Sequence, residues 1–110
     1  MEDRLTINGA LRRLAGSDDP ENAELFSHGS MTVEIYRPDS VDHQQPHEQD
    51  ELYVVIAGSG EFVNGDTRQV FEPGEVLFVP AGAEHRFENF SDDFATWVIF
   101  YGPRGGEAGS

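Results

Sequence analysis

At 110 residues the chain has the length of a single domain. It contains no cysteine, so neither a disulfide framework nor thiolate chemistry is open to it. Twenty-one acidic residues against seven basic ones leave a net charge of −14, which opposes attraction to nucleic acid or to an anionic membrane and favours solubility or an acidic interaction surface.

The opening stretch, MEDRLTINGALRRL, is acidic from its second residue and has no apolar core of the leader type. No segment approaches the ~20 apolar residues that span a bilayer. The expectation is a cytoplasmic protein. Leu5, Ile7, Leu11 and Leu14 recur at helical spacing with Arg12 and Arg13 between them, which predicts one short amphipathic helix over 5–15, capped by Thr6 or Asn8. Gly16 to Pro20 breaks it.

Beyond that point helical periodicity is absent. Met31, Val33 and Ile35 alternate with Thr32, Glu34 and Tyr36, a strand stopped by Pro38. Leu52 to Ala57 is a β-branched and aromatic run. Glu61 to Val63 and Thr67 to Phe71 flank Asn64-Gly65, a hairpin signature. Pro73-Gly74 turns into Val76 to Val79, and Pro80-Ala81-Gly82 turns into His85 to Phe90. Phe94 to Tyr101 is the last strand. His28 reads as a turn residue and Trp97 as core. About seven to nine short strands, each bounded by turn residues, argue an antiparallel sandwich or barrel. The expected organisation is a helix and linker over 1–22, a barrel over 23–102 and a flexible tail over 103–110.

Alternation assigns faces. Side chains two apart on a strand point the same way, so Glu51, Tyr53 and Val55 share one face and His85, Phe87 and Asn89 another. Gln45 and His47 share a face if the chain is extended through Pro46. His47, Glu51 and His85 are residues of metal-ligand type, on or just before strands, and a closed interior would bring them together. Two neutral imidazoles and a carboxylate suit a divalent first-row metal with positions left open. From spacing alone the bland alternative stands beside this one: His47 as a solvated strand-end residue and Glu51 as an edge charge.

The spacing of the second half resembles the cupin family. Its second motif, G-x5-P-x-G-x2-H-x3-N, is met by Gly74, Pro80, Gly82, His85 and Asn89. Its first motif, G-x5-H-x-H-x3,4-E-x6-G, is met by His47, Glu51 and Gly58, while Gln45 stands where the first histidine belongs and Asp39 where the leading glycine belongs. The likeness runs from about Met31 to Tyr101 and is similar to small single-domain bacterial cupins. It implies an all-β jelly-roll barrel with one short N-terminal helix. It also implies one divalent ion (Fe, Mn, Ni or Zn) on His47, Glu51 and His85, with Gln45 as fourth ligand. His43 is its substitute if the chain bulges near Pro46. Tyr53 and Phe87 read as core residues with lining the pocket as the alternative role, and Asn89 is expected to make a turn or strand-end hydrogen bond.

Two functions follow as expectations. One is a protein that binds or transforms a small oxygenated organic molecule, often an anion, at the metal. The other is a non-catalytic ligand-binding cupin, possible without metal. If Glu51, Tyr53 and Val55 face inward, Leu52, Val54 and Ile56 form an apolar stripe outside. Large apolar patches are seldom left exposed, so a homodimer is expected, with that face covered by the partner or by the N-terminal segment.

Overall fold

A computed structural model describes residues 4–108. The first three residues of the expected segment 1–22 and the last two of the expected tail 103–110 lie outside them. Helix α1 spans Ile7–Ala15 and strands follow in the order β1 Asn22–His28, β2 Met31–Tyr36, β3 Asp50–Ala57, β4 Gly60–Asn64, β5 Thr67–Phe71, β6 Val76–Val79, β7 His85–Glu88 and β8 Ala95–Tyr101. They form a five-stranded sheet ordered β1-β2-β8-β3-β6 and a three-stranded sheet ordered β5-β4-β7, with the described strand pairings antiparallel. This is the all-β double-sheet fold expected. Among the described residues, no helix is long and apolar enough to cross a membrane.

Thr6 caps α1: its side-chain oxygen accepts from the Gly9 amide at 3.1 Å, and Arg12 and Arg13 sit in the last turn, where the helix dipole favours positive charge. The helix buries Ala10 and Leu14 against Ala23 and Ile35 on the outer face of the larger sheet, with Ile56 and Trp97 packed beside them. Trp97 therefore belongs to this outer cluster, half-buried, and not to the barrel interior. Strand β1 is an element that alternation did not announce. It pairs with β2 from Asn22↔Tyr36 to His28↔Met31, and a register shift between Glu24 and Phe26 breaks the period of two. His28 ends this strand, exposed, just before the turn at Gly29.

The interior between the sheets is mostly aromatic: Tyr36, Tyr53, Phe62, Phe71, Phe87 and Phe94, with Val55, Val79 and Val98. Alternation on β3 holds as expected, with Glu51, Tyr53 and Val55 at 0%, 0% and 3% exposure. The bend at Gly58 admits no side chain. Its φ is +88°, and a Cβ there would stand 2.5 Å from Phe94 Cα. After β8 the chain is tied back to β3. The Glu107 amide donates to Asp50 Oδ2 at 2.9 Å and the Ala81 amide to Asp50 Oδ1 at 2.9 Å. These two amides hold the Asp50 carboxyl below its ordinary pKa. The segment 103–107, expected to begin a flexible tail, is thereby held against the turn that leads into β7.

Candidate metal centre

His85 is the first residue of β7 and is delivered by the turn Pro80-Ala81-Gly82. The Ala83 amide donates to the Pro80 carbonyl at 3.2 Å, and Gly82, at φ +81°, donates to the His47 carbonyl at 2.8 Å. The same turn thus positions two of the three residues. Glu51 lies on β3 opposite Val79 of β6 and Phe100 of β8, fully buried. His47 lies in the irregular segment before β3, half-buried, with its ring edge on Phe100 at 4.8 Å and 5.4 Å from the His85 ring.

The structure brings the three together, with one donor atom of each within 4.8 Å of the others. His85 Nε2 stands 3.2 Å and His47 Nε2 4.0 Å from Glu51 Oε1. His85 Nδ1 lies 3.0 Å from the Ala83 carbonyl, which can only accept, so Nδ1 carries the hydrogen. In the neutral ring Nε2 then presents a lone pair toward a carboxylate oxygen that also presents one. Two acceptors face each other, and the gap calls for a proton or a cation. Both Glu51 oxygens and His85 Nε2 are buried without a hydrogen-bond partner; their close approach lacks hydrogen-bond alignment. Burial disfavours a charged His85, but Glu51 and the Ala83 carbonyl outweigh it, and its pKa lies above the ordinary imidazole value.

A polar network backs the cluster. Tyr53 donates its hydroxyl to Gln44 Oε1 at 2.7 Å, and Gln44 donates its Nε2 to Asp42 Oδ2 at 2.8 Å. Asp42 also accepts from the Tyr36 hydroxyl at 2.6 Å and the Phe87 amide at 2.8 Å. Burial first, then Glu51, pushes the Tyr53 hydroxyl well above the usual phenol range, so it stays a donor. Beside the cluster, a cleft of about 540 Å³ is lined by Pro46, His47, Ala81, Gly82 and Arg104.

Gln45 and His43 are exposed. The family likeness put Gln45 at the first-histidine position of the motif, and a shared face with His47 needed an extended chain through Pro46; 37–49 is not a strand, so strand parity does not hold there. The amide that approaches His47, at 3.4 Å, belongs to Gln44. Neither Gln44 nor Asp42 was singled out from the sequence, because DHQQPHEQ offers many polar side chains and no period to choose among them. Phe87 sits in the core, with its ring 4.8 Å from Tyr53 and 4.6 Å from Phe94. Tyr53 borders both core and cluster, 6.0 Å from the His85 ring. Asn89, at φ +51°, donates to Glu61 Oε1 at 2.6 Å, a strand-end role.

Residues 32–101 match the cupin domain. The chain belongs to the cupin family. This cupin is 36% identical over 90 residues to an uncharacterised protein of Streptomyces coelicolor, a match covering 79% of the chain and 85% of the relative. Among solved structures it resembles a cupin 2 conserved barrel domain protein from Salinispora arenicola, with TM-score 0.64, 20% identity and coverage of 93% and 89% of the two chains. A cupin-2 domain protein from Shewanella frigidimarina superposes with TM-score 0.59, 15% identity and coverage of 74% and 80%. At these identities the structural likeness speaks for the barrel and its topology.

Proposed function

We propose that this cupin holds one divalent first-row metal ion between His47, Glu51 and His85 and uses it to bind, or act on, a small oxygenated organic molecule. The observation that carries the reading is the set of buried, unpartnered donor atoms: both oxygens of Glu51 and Nε2 of His85. Unpaired buried groups of this kind cost about 1–3 kcal/mol each, more when charged, and a shared cation removes that penalty. The donor set, two imidazoles and one carboxylate, suits Fe(II), Mn(II), Ni(II) or Zn(II). Such an ion, when bound, supplies Lewis-acid polarisation of a ligand carbonyl or carboxylate. Glu51 is the single negative charge among the three, leaving an overall charge near +1 that favours an anionic ligand. In the cleft beside His47, Arg104 and Glu48 form an ion pair and add no net charge. Metal analysis of untagged protein purified without added metal tests the reading, and the expected result is one equivalent per chain.

The metal-free alternative is favoured by the 3.2 Å approach of His85 to Glu51, a distance that one proton on Nε2 would make into an ion pair. pH dependence separates the two. A metal requires neutral histidines, so affinity falls as pH falls; with His85 raised, the fall starts above the ordinary His value of about 6.5. The metal-free protein behaves oppositely. The stability contributed by protonated His85 is complete below about pH 6.5 and is lost as pH rises through its higher native pKa. Thermal melts of metal-free protein across that window, with metal titrations alongside, are expected to show opposite slopes. Metal affinity independent of pH would remove the histidines from the site.

We further propose that the protein is a homodimer. The outer face of the larger sheet carries Val76 and Phe78 on β6, 61% and 48% exposed, next to Val54 and Leu52 on β3 and then Ile99 on β8. Helix α1 packs on Ile35, Ile56 and Trp97 at the other end of this face. A contiguous apolar band of this sort favours a partner surface. Sedimentation at micromolar concentration is expected to give a dimer that Phe78→Glu dissociates, and a clean wild-type monomer counts against it.

A further inference from the structure

We propose that Gln44, through its amide oxygen, is a fourth donor to the ion at His47, Glu51 and His85, and that Asp42 is the residue that aims it there. The assignment rests on the metal reading above and adds to it a ligand that lies outside the three-residue cluster.

Four observations carry it. The amide has one orientation available, since Gln44 Nε2 donates to Asp42 Oδ2 at 2.8 Å and a carboxylate oxygen only accepts; the opposite end, Oε1, therefore faces the cluster. Asp42 is itself locked, accepting from the Tyr36 hydroxyl at 2.6 Å, the Phe87 amide at 2.8 Å and the Gln44 amide at 3.1 Å. Tyr53 donates to Gln44 Oε1 at 2.7 Å and takes one of its two lone pairs, leaving the other free. Finally, Gln44 Oε1 lies 3.4 Å from His47 Nε2, long for a hydrogen bond between neutral groups. It matches the separation of two donors sharing one ion, about 3.0–3.4 Å for bonds of ~2.1 Å.

The arrangement has the form seen where an outer carboxylate orients a metal-binding side chain. Here the oriented group is a neutral amide. It adds a hard oxygen without adding charge, so the site keeps its overall charge near +1. Relative to a third imidazole, an amide oxygen suits Mn(II) better and Zn(II) less well.

Cobalt(II) is the probe, because its visible spectrum reports coordination as well as occupancy. Gln44→Leu is expected to weaken cobalt binding by at least the ~10–100-fold that loss of an orienting partner costs, with a changed spectrum. Gln44→His keeps a donor, and is expected to change the spectrum while raising zinc affinity relative to manganese. Asp42→Asn frees the amide to turn and is expected to weaken cobalt binding by ~10–100-fold. Gln45→Ala, at the exposed neighbour, leaves affinity and spectrum as in wild type. Spectra and affinities of Gln44→Leu and Gln44→His that match wild type, while His85→Ala loses cobalt, overturn this assignment and leave the three-residue site standing. A wild-type protein that takes up no cobalt overturns both. Should Gln44→Leu fail to fold, the spectrum of Gln44→His decides.

Discussion

Glu51→Ala and His85→Ala are each expected to lose metal binding while keeping a folded barrel. Both residues are buried, at 0% and 5% exposure, and each supplies a donor atom that has no hydrogen-bond partner. Removing either takes away one of the two buried members of the cluster, and Glu51→Ala also removes its single negative charge. The fold should survive. The aromatic interior is built without these residues, and Glu51→Ala removes a carboxylate whose burial is itself unfavourable without a partner. Metal content and circular dichroism of the purified variants are the measurements. Full occupancy in both would show that the ligands lie elsewhere; loss of the β spectrum along with the metal would show that the ion holds the barrel together.

Phe87→Ala destabilises the protein by about 3–5 kcal/mol, the range for a large aromatic removed from a packed core. Phe87 is 1% exposed, and its ring meets those of Tyr53, Phe62, Phe71 and Phe94 at centroid distances of 4.8, 5.1, 5.4 and 4.6 Å. These neighbours come from four other segments, so no single one can move in to fill the space. Against a total stability of about 5–15 kcal/mol for a domain, the loss approaches the margin. The Phe87 amide also fixes Asp42, so any backbone shift at this position reaches the Gln44 amide. Urea unfolding gives the number through a lowered midpoint at unchanged slope. A loss below about 1 kcal/mol would mean that the core relaxes into the cavity and is less tightly packed than the ring contacts indicate.

Much of the barrel was legible because strand faces and turns are local matters. The alternation of Glu51, Leu52, Tyr53 and Val54 depends only on the period of two, and the side chains lie where that period puts them. The hairpin is written locally too, although its two turn residues are Gly65, at φ +59°, and Asp66, one place later than the expected Asn64-Gly65, because Asn64 closes β4 against Thr67. The spacing Gly74, Pro80, Gly82, His85 carried the family likeness, since each of those residues answers to a turn or to the start of a strand.

What only the tertiary structure decided lies where no local period operates. β1 escaped notice because a register shift between Glu24 and Phe26 interrupts its alternation. Trp97 read as core with no face assigned, and α1, far away in sequence, decides the face by making the outer side of β8 a second burial site. The tail 103–107 is held by Asp50, and no run of glycines announces such a tie. The choice between Gln44 and Gln45 is the clearest case. Both are glutamines in one irregular loop, equal in composition and adjacent in sequence. Asp42 selects between them by accepting from the Phe87 amide, 45 residues further along the chain. A hydrogen bond across that separation forms only once two sheets have packed, so the side chain that faces the cluster is set by assembly of the barrel and not by the residues around it.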